Sequence, residues 1–325
     1  MKKLWGFIGF ATLILTLANQ KIVADAVLDG MKRCVYSIIP TLFANSVICS
    51  IITRSGIIRC LFSRLKQNGL AWELFILGNL GGYPIGAKLI RESVENNEIS
   101  SKVGEKLLAC CFSPGPAFCI GVIGRLVFKN QWLGVAVYLV NLAVNLIIFV
   151  ISSRNMRKVK SHYSTKNIST AEVIESVNSA ANSMISITAI IAIFSGITAI
   201  ILNLFSFVKL EYFTPFLDIT NIVSIKNISL PETCALVSFG GICIFAQIAG
   251  IIGGKLSLKR FAIMHLIRLP MNCCIGLLGE LIIDRFGITA SAVQYSEANS
   301  FVPFICVIAM LYICTKRNPD RSWSG

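Results

Sequence analysis

Gly81-Gly82-Tyr83-Pro84-Ile85-Gly86-Ala87-Lys88 lies inside the otherwise apolar segment 70–91. Glycine loses the most backbone entropy in a helix, and proline removes a donor and clashes with the preceding turn, so this stretch cannot stay fully helical. In hydrocarbon every N–H and C=O must be satisfied, and irregular backbone survives only where protein buries it or where it lines a watery cavity. The stretch therefore points into a protein interior. Segments 107–127, 210–228 and 233–253 share the pattern, being apolar but interrupted by Gly, Pro, Asn or Asp.

Around these interruptions lie six plain apolar spans, residues 4–20, 34–57, 131–152, 180–207, 261–283 and 299–315. A crossing helix needs roughly 20 apolar residues. Of the 325 residues, 55% are hydrophobic and 14% charged, against a charged share of about a quarter in soluble domains. Recurrence along the whole length excludes a single-span anchor, and the expected fold is an all-α polytopic membrane protein with broken and re-entrant helices.

The net charge of +14 does not indicate a nucleic-acid partner, because the basic residues sit in short connectors and form no continuous face. The twelve cysteines include no C-x-x-C, and Cys110-Cys111 and Cys273-Cys274 lie in apolar runs, where a thiol acts as a small hydrophobe. With His162 and His265 as the only histidines, no metal site, no cofactor and no Ser-His-Asp relay is expected. Lys2 and Lys3 followed by an apolar run to Ala18 would also suit a signal peptide, but the topology favours an uncleaved first span.

Basic connectors orient such a chain. The clusters are Lys2 and Lys3; Arg54, Arg59, Arg64 and Lys66; Arg154, Arg157, Lys158, Lys160 and Lys166; Lys255, Lys259 and Arg260; and Lys316, Arg317 and Arg321. All five are cytoplasmic only if 70–91 and 210–228 re-enter while the other eight segments cross. That predicts N-in and C-in. It divides the chain into a first span with connector (1–30), a first repeat (31–153), a basic cytoplasmic connector (154–178), a second repeat (179–285), and a last span with tail (286–325). The repeats run in opposite orientations, and Phe112-Ser113-Pro114-Gly115-Pro116 holds the place in one that Phe239-Gly240-Gly241 holds in the other. An inverted-topology repeat with discontinuous helices is the pattern of secondary transporters.

Candidate solute-binding residues cluster at the interruptions. Freed N–H groups at a half-helix start beside Lys88 suit a carboxylate or phosphate, although Lys88 could equally snorkel to the interface. In Leu217-Asp218-Ile219-Thr220-Asn221 an acid inside an apolar segment is costly and a functional candidate by default, for a coupling proton or sodium ion; the ordinary alternative is a helix N-cap. Gln247 could bind solute or tie two helices together. Arg268 could pair with solute or with Asp218. Asn141, Asn145 and Glu280 are better suited to packing. No nucleophile with a base stands out, so an enzyme is not expected.

The motifs Gly82-Tyr83-Pro84-Ile85-Gly86-Ala87-Lys88, Cys111-Phe112-Ser113-Pro114-Gly115-Pro116, Leu217-Asp218-Ile219-Thr220-Asn221 and Phe239-Gly240-Gly241 through Gln247 resemble, in order and over nearly the whole chain, the sporulation integral membrane protein YlbJ/SpoVV family. That family belongs with the nucleoside-recognition Gate-domain proteins, similar in fold to concentrative nucleoside transporters. The resemblance implies transport of dipicolinate, a small aromatic dicarboxylate that would suit Lys88 and Arg268, across a forespore membrane. Ile85 and Pro114 stand where the family usually has Ser, and Asp218-Ile219-Thr220-Asn221-Ile222 where it has Glu-Ile-Thr-Asn-Gly. The expected substrate-binding set is Gly82, Tyr83, Pro84, Gly86, Lys88, Ser113, Gly115, Asp218, Thr220, Asn221, Gly241, Gln247 and Arg268. The expected partners are a small-molecule solute, a coupling ion, the lipid of the inner membrane and further copies of the chain. The alternatives to a transporter of a small anionic or polar solute are a nucleoside transporter and a non-transporting scaffold or sensor of a sporulation complex.

An epitope inserted in the 154–166 connector should be reached by antibody only after the inner membrane is opened. Labelling of intact spheroplasts would overturn the opposed orientation of the two repeats.

Overall fold

The computed structural model describes residues 2–64, 69–153, 166–206, 213–225 and 227–285. The expected last span 299–315, the tail with Lys316, Arg317 and Arg321, the connector residues 154–165 with His162, and Lys66 lie outside the described residues. Among the described residues every regular element is helical.

Helix α1 (Lys2–Ala18) ends at Asn19, and the chain turns by 100° into α2 (Gln20–Arg33). A π-helical turn, Cys34–Ile38, then leads into α3 (Ile39–Ser55). Pro40 near the start of α3 has no N–H to give, so the ladder widens just before it. Gly56, at φ 66°, closes α3 in the left-handed conformation common after helices, and α4 (Ile57–Arg64) follows. Arg33 through Arg54 hold α2 and α3 against the long helix α10 (Thr170–Leu204), where Gly30 leaves room for Ser195 and Gly196 for Val23 and Val27.

The first interruption becomes a helical hairpin, α5 (Gly69–Gly81) and α6 (Ile85–Glu95), which pack on each other across the turn at Gly82, Tyr83 and Pro84. A Cβ on Gly78 would come 3.2 Å from Gly86 Cα, so the two helices touch backbone to backbone. The second interruption separates α7 (Ser101–Leu108) from α8 (Pro116–Phe118) by an irregular stretch that holds Ser113 and Pro114. Helix α8 runs into a π-helical segment, Cys119–Val127, that lies against α9 (Gln131–Ser153) at Gly124 and Gly134. In the remaining half, α11 (Thr214–Leu217) passes through Asp218 into 3-10 turns at Ile219–Ser224. Helices α12 (Leu230–Phe239) and α13 (Gly241–Ile252) are hinged at Gly240, which is at φ 71°. Helix α14 (Lys259–Arg285) packs along α12, with Gly276 against Pro231.

Four helical stretches are long and apolar enough to cross a membrane, Gln131–Ser153, Thr170–Leu204, Leu230–Ile252 and Lys259–Ile283, and a fifth is counted if the bent α1–α2 pair is one span. They carry outward apolar side chains, among them Ile151, Ile193, Leu266 and Leu281, each more than half exposed. The protein is all-α and membrane-embedded. Of the other segments expected to cross, in 34–57 helical backbone runs from the π-helical turn at Cys34 through α3 to Ser55, whereas 107–127 contains only the shorter apolar helix Pro116–Val127. A 12-residue helix rises about 18 Å at 1.5 Å per residue, well short of about 30 Å of hydrocarbon. The Gly115-Pro116 pair is the reason this helix is short.

Gly86 is the tightest point of the α5–α6 hairpin, because a Cβ there would overlap the Cys111 carbonyl oxygen, whereas Gly250 meets nothing within 4 Å. Gly86→Ala should destabilise the purified protein by about 1–3 kcal/mol through overpacking, while Gly250→Ala should be neutral or stabilising by up to about 1 kcal/mol. Thermal unfolding in detergent separates the two; equal effects would mean that the hairpin does not pack in this way.

Candidate functional site

The interruptions converge. Gly82, at φ 80°, brings its backbone against Gly115, where an added Cβ would stand 2.6 Å from the Gly115 nitrogen. Gly241, at φ 82°, does the same against the other short element, with Pro215 O at 2.9 Å and Leu217 O at 3.1 Å from a Cβ. Between these pairs Tyr83 reaches across the halves: its hydroxyl donates to Val237 O at 2.7 Å and its ring lies 4.7 Å from that of Phe112. The Tyr83-Pro84 bond is cis, and Pro84 precedes the first turn of α6.

At this meeting point is a cavity of about 40 Å³ whose walls include Tyr83, Gly115, Thr220 and Gln247, together with apolar Ile187, Ile191, Ile219 and Ile244. Gln247 and Ile187 also line a larger cavity of about 500 Å³, bounded by Lys88, Arg91, Glu92 and Glu95 of α6, by Ser179, Asn182, Ser183 and Ser186 of α10, and by Gly250 and Ile251 of α13. Glu92, Glu95 and Ser179 are shared in turn with a basin of about 800 Å³ rimmed by Arg54, Arg59, Lys166, Glu98 and Glu175. The three cavities thus share lining residues in series from the basic-connector side to the centre of the broken helices.

Of the thirteen residues expected at the site, Tyr83, Gly115, Thr220 and Gln247 line the small cavity and Lys88 and Gln247 the larger one. Lys88 does not snorkel. It is 8% exposed, and its Nζ has no hydrogen-bond partner among the described residues. Gly82, Pro84, Gly86 and Gly241 shape the backbone without lining either cavity. Asp218 acts as the N-cap of the 3-10 turns, accepting from Thr220 N at 3.0 Å and from the Thr220 hydroxyl at 2.8 Å. Asn221 accepts from Arg33 Nη1 at 2.8 Å, and Ser113 donates to Pro114 O.

Arg268 is the clearest departure from expectation. It is buried, donates to Ala109 O just past the end of α7, and holds its guanidinium carbon 5.2 Å from the Phe112 ring centre. Among the described residues no ion pair joins it to Asp218, and it lines none of the three cavities described above. The Ala109 carbonyl and the aromatic face stand where a carboxylate would, while Nε and Nη1 have no hydrogen-bond partner among the described residues.

Sequence reading missed Arg33, Glu92 and the polar face of α10. Ser179, Asn182, Ser183 and Ser186 recur at helical spacing, a signal that was available. It also missed Glu73, which is fully buried and ion-paired to Arg59 at 2.6 Å; Arg59, which also bonds Glu98, is thereby part of an internal triad as well as a connector charge. Asn145, expected to pack, donates to Asn79 Oδ1 at 2.7 Å and to Phe112 O at 2.9 Å, which ties α9 to both interruptions of its half. No protein-family model, curated protein or solved structure matches the chain.

At the cavity mouth Glu95 accepts from Lys255 at 2.8 Å and from Arg91 at 2.9 Å, joining α6 to the turn after α13. Its hydrogen bonds from Lys255 first, then Arg91, hold the carboxyl below its ordinary value of 4.5. A depressed folded value means the contribution to stability is full above the unfolded value and lost as pH falls through the folded one. The wild-type advantage in melting temperature over Glu95→Gln should therefore be present near neutral pH and shrink steadily below about pH 4.5. An advantage that does not change with pH would show that the carboxylate charge is not what joins these elements.

Proposed function

We propose that the protein is a membrane transporter that carries a small anionic or polar solute through the cavity where its broken helices meet. The observation that carries this reading is that Gln247 lines both the 500 Å³ cavity, with its charged and hydroxyl-bearing walls, and the small chamber formed by Tyr83, Gly115 and Thr220. Ligand sites are concave, of roughly 300–1,000 Å³, and lined mainly by apolar side chains with a few converging polar groups. Discontinuous helices at a midplane site are the device by which transporters offer backbone groups to a solute. A scaffold would have no use for a buried, unpartnered Lys88 at the wall of such a cavity.

The two halves are inverted repeats in this reading. Supporting it is the order of parts: α3, hairpin α5–α6, broken α7–α8 and span α9 in one half; α10, broken α11 with its 3-10 turns, hinged α12–α13 and span α14 in the other. With N-in and C-in topology the series of cavities opens to the cytoplasm, because Arg54 and Lys166 rim its outer basin. Asp218, capped by Thr220 beside the small chamber, is where a coupling proton or sodium ion would act. The motif resemblance to the YlbJ/SpoVV family supports dipicolinate as one candidate solute and a forespore membrane as its place.

Proteoliposomes should show saturable uptake of at least one of labelled dipicolinate, succinate, uridine and β-alanine. Gln247→Leu and Thr220→Val should each lower that uptake several-fold, up to about tenfold for one lost neutral hydrogen bond, without a large change in melting temperature. Failure of a well-folded sample to carry any of the four, or uptake indifferent to both substitutions, would overturn the reading.

A further inference from the structure

The four charges around the 500 Å³ cavity sum to zero, but they are not all joined to one another by hydrogen bonds. It is bounded by four charged side chains, all from α6. Arg91 and Glu95 bond each other at 2.9 Å, and Arg91 also donates to Ile251 O at 2.6 Å while Glu95 takes Lys255. That leaves Lys88, whose buried Nζ has no hydrogen-bond partner, and Glu92, whose carboxylate has none and no ion pair within 4 Å among the described residues, although Lys88 and Arg54 are near enough to act on it through space. Four apart on one helix, the two face the same way, with Cβ atoms about 5–6 Å apart.

An uncompensated charge inside a membrane-embedded protein is costly, and the cost is removed by a partner of opposite sign. A dicarboxylate would satisfy Lys88 but press a second carboxylate towards Glu92. A simple cation would do the reverse. The facing wall, Ser179, Asn182, Ser183 and Ser186, offers hydrogen bonds but no further charge to rebalance either case. The geometry points to a small zwitterion as the solute, its carboxylate on Lys88 Nζ and its ammonium on the Glu92 carboxylate. The two charges are separated by a few carbons, and Ile187 and Ile190 leave room for a short alkyl portion. This assignment rests on the transport reading and narrows it to solutes of zero net charge with both ends ionised.

The test is uptake of labelled β-alanine into proteoliposomes of the full chain, competed by α-alanine, γ-aminobutyrate, propionate, propylammonium, dipicolinate and uridine. Amino acids should compete at least tenfold better than propionate or propylammonium. Lys88→Gln and Glu92→Gln should each weaken β-alanine uptake at least tenfold, and Glu92→Gln should shift preference towards propionate, Lys88→Gln towards propylammonium. The double exchange Lys88→Glu with Glu92→Lys should recover part of the wild-type uptake. If dipicolinate, succinate or uridine is carried and no amino acid is, transport stands and the zwitterion assignment falls. If both single variants lose stability but keep the wild-type order of competitors, Lys88 and Glu92 serve only each other and the assignment again falls. Failure of every solute, β-alanine included, removes the transport reading and this one with it.

Discussion

The structure depends on backbone meeting backbone at the helix interruptions. Gly82 against Gly115, Gly86 against the Cys111 carbonyl, and Gly241 against the carbonyls of Pro215 and Leu217 are contacts that admit no side chain. Where helices stop inside an apolar protein, carbonyl and N–H groups lose their intrahelical partners and must find others. Here some of the carbonyls find them in buried side chains, Val237 O in the Tyr83 hydroxyl, Ala109 O in Arg268, and others in a few amides. Asn79 Nδ2 donates to Phe75 O and Cys110 O, and Asn145 bridges from α9 to Asn79 and to Phe112 O. The breaks therefore stabilise one another, and none could persist alone in a lipid-facing helix.

That mutual support explains how much could be read from the sequence. Gly-Gly-Tyr-Pro-Ile-Gly at 81–86, the Pro114-Gly115-Pro116 run and Gly240-Gly241 are strong local breakers, so the places where helices fail were legible. So were the long apolar helices at 131–153 and 259–285, whose periodicity does not matter because hydrophobicity all round already marks them as embedded. Less legible was whether a short apolar run crosses. Residues 107–127 have span-like composition, yet the irregular stretch that holds Ser113 and Pro114 leaves only the helix Pro116–Val127. Composition reports what a segment can be dissolved in, and only geometry reports how far it reaches.

Site residues divide in the same way. Asp218 and Thr220 are three-residue local chemistry, a cap whose partners are two positions apart, and they read off the sequence directly. Arg33 with Asn221, or Glu73 with Arg59, join residues far apart in the chain or hide an acid at the start of an apolar helix. No local pattern announces them. The serine face of α10 lies between these cases. Its spacing was visible, but its meaning appears only once α6 brings Lys88 and Glu92 opposite to it.

Arg268 shows why a buried charge does not by itself mark a binding site. Desolvating a guanidinium costs several kcal/mol unless its surroundings supply negative potential. Here that potential comes from the C-terminal end of α7 at Ala109 and from the Phe112 ring, with no carboxylate involved. The same ring lies tilted against that of Tyr83, and Tyr83 walls the small chamber. Arg268 thus stands one aromatic layer behind the chamber, fixing the irregular stretch after α7 against α14 and, through Phe112, the position of Tyr83. Its contribution to the chamber is through the shape of that wall. Lys88 differs from it in lining an open cavity, with its Nζ left without a hydrogen-bond partner among the described residues.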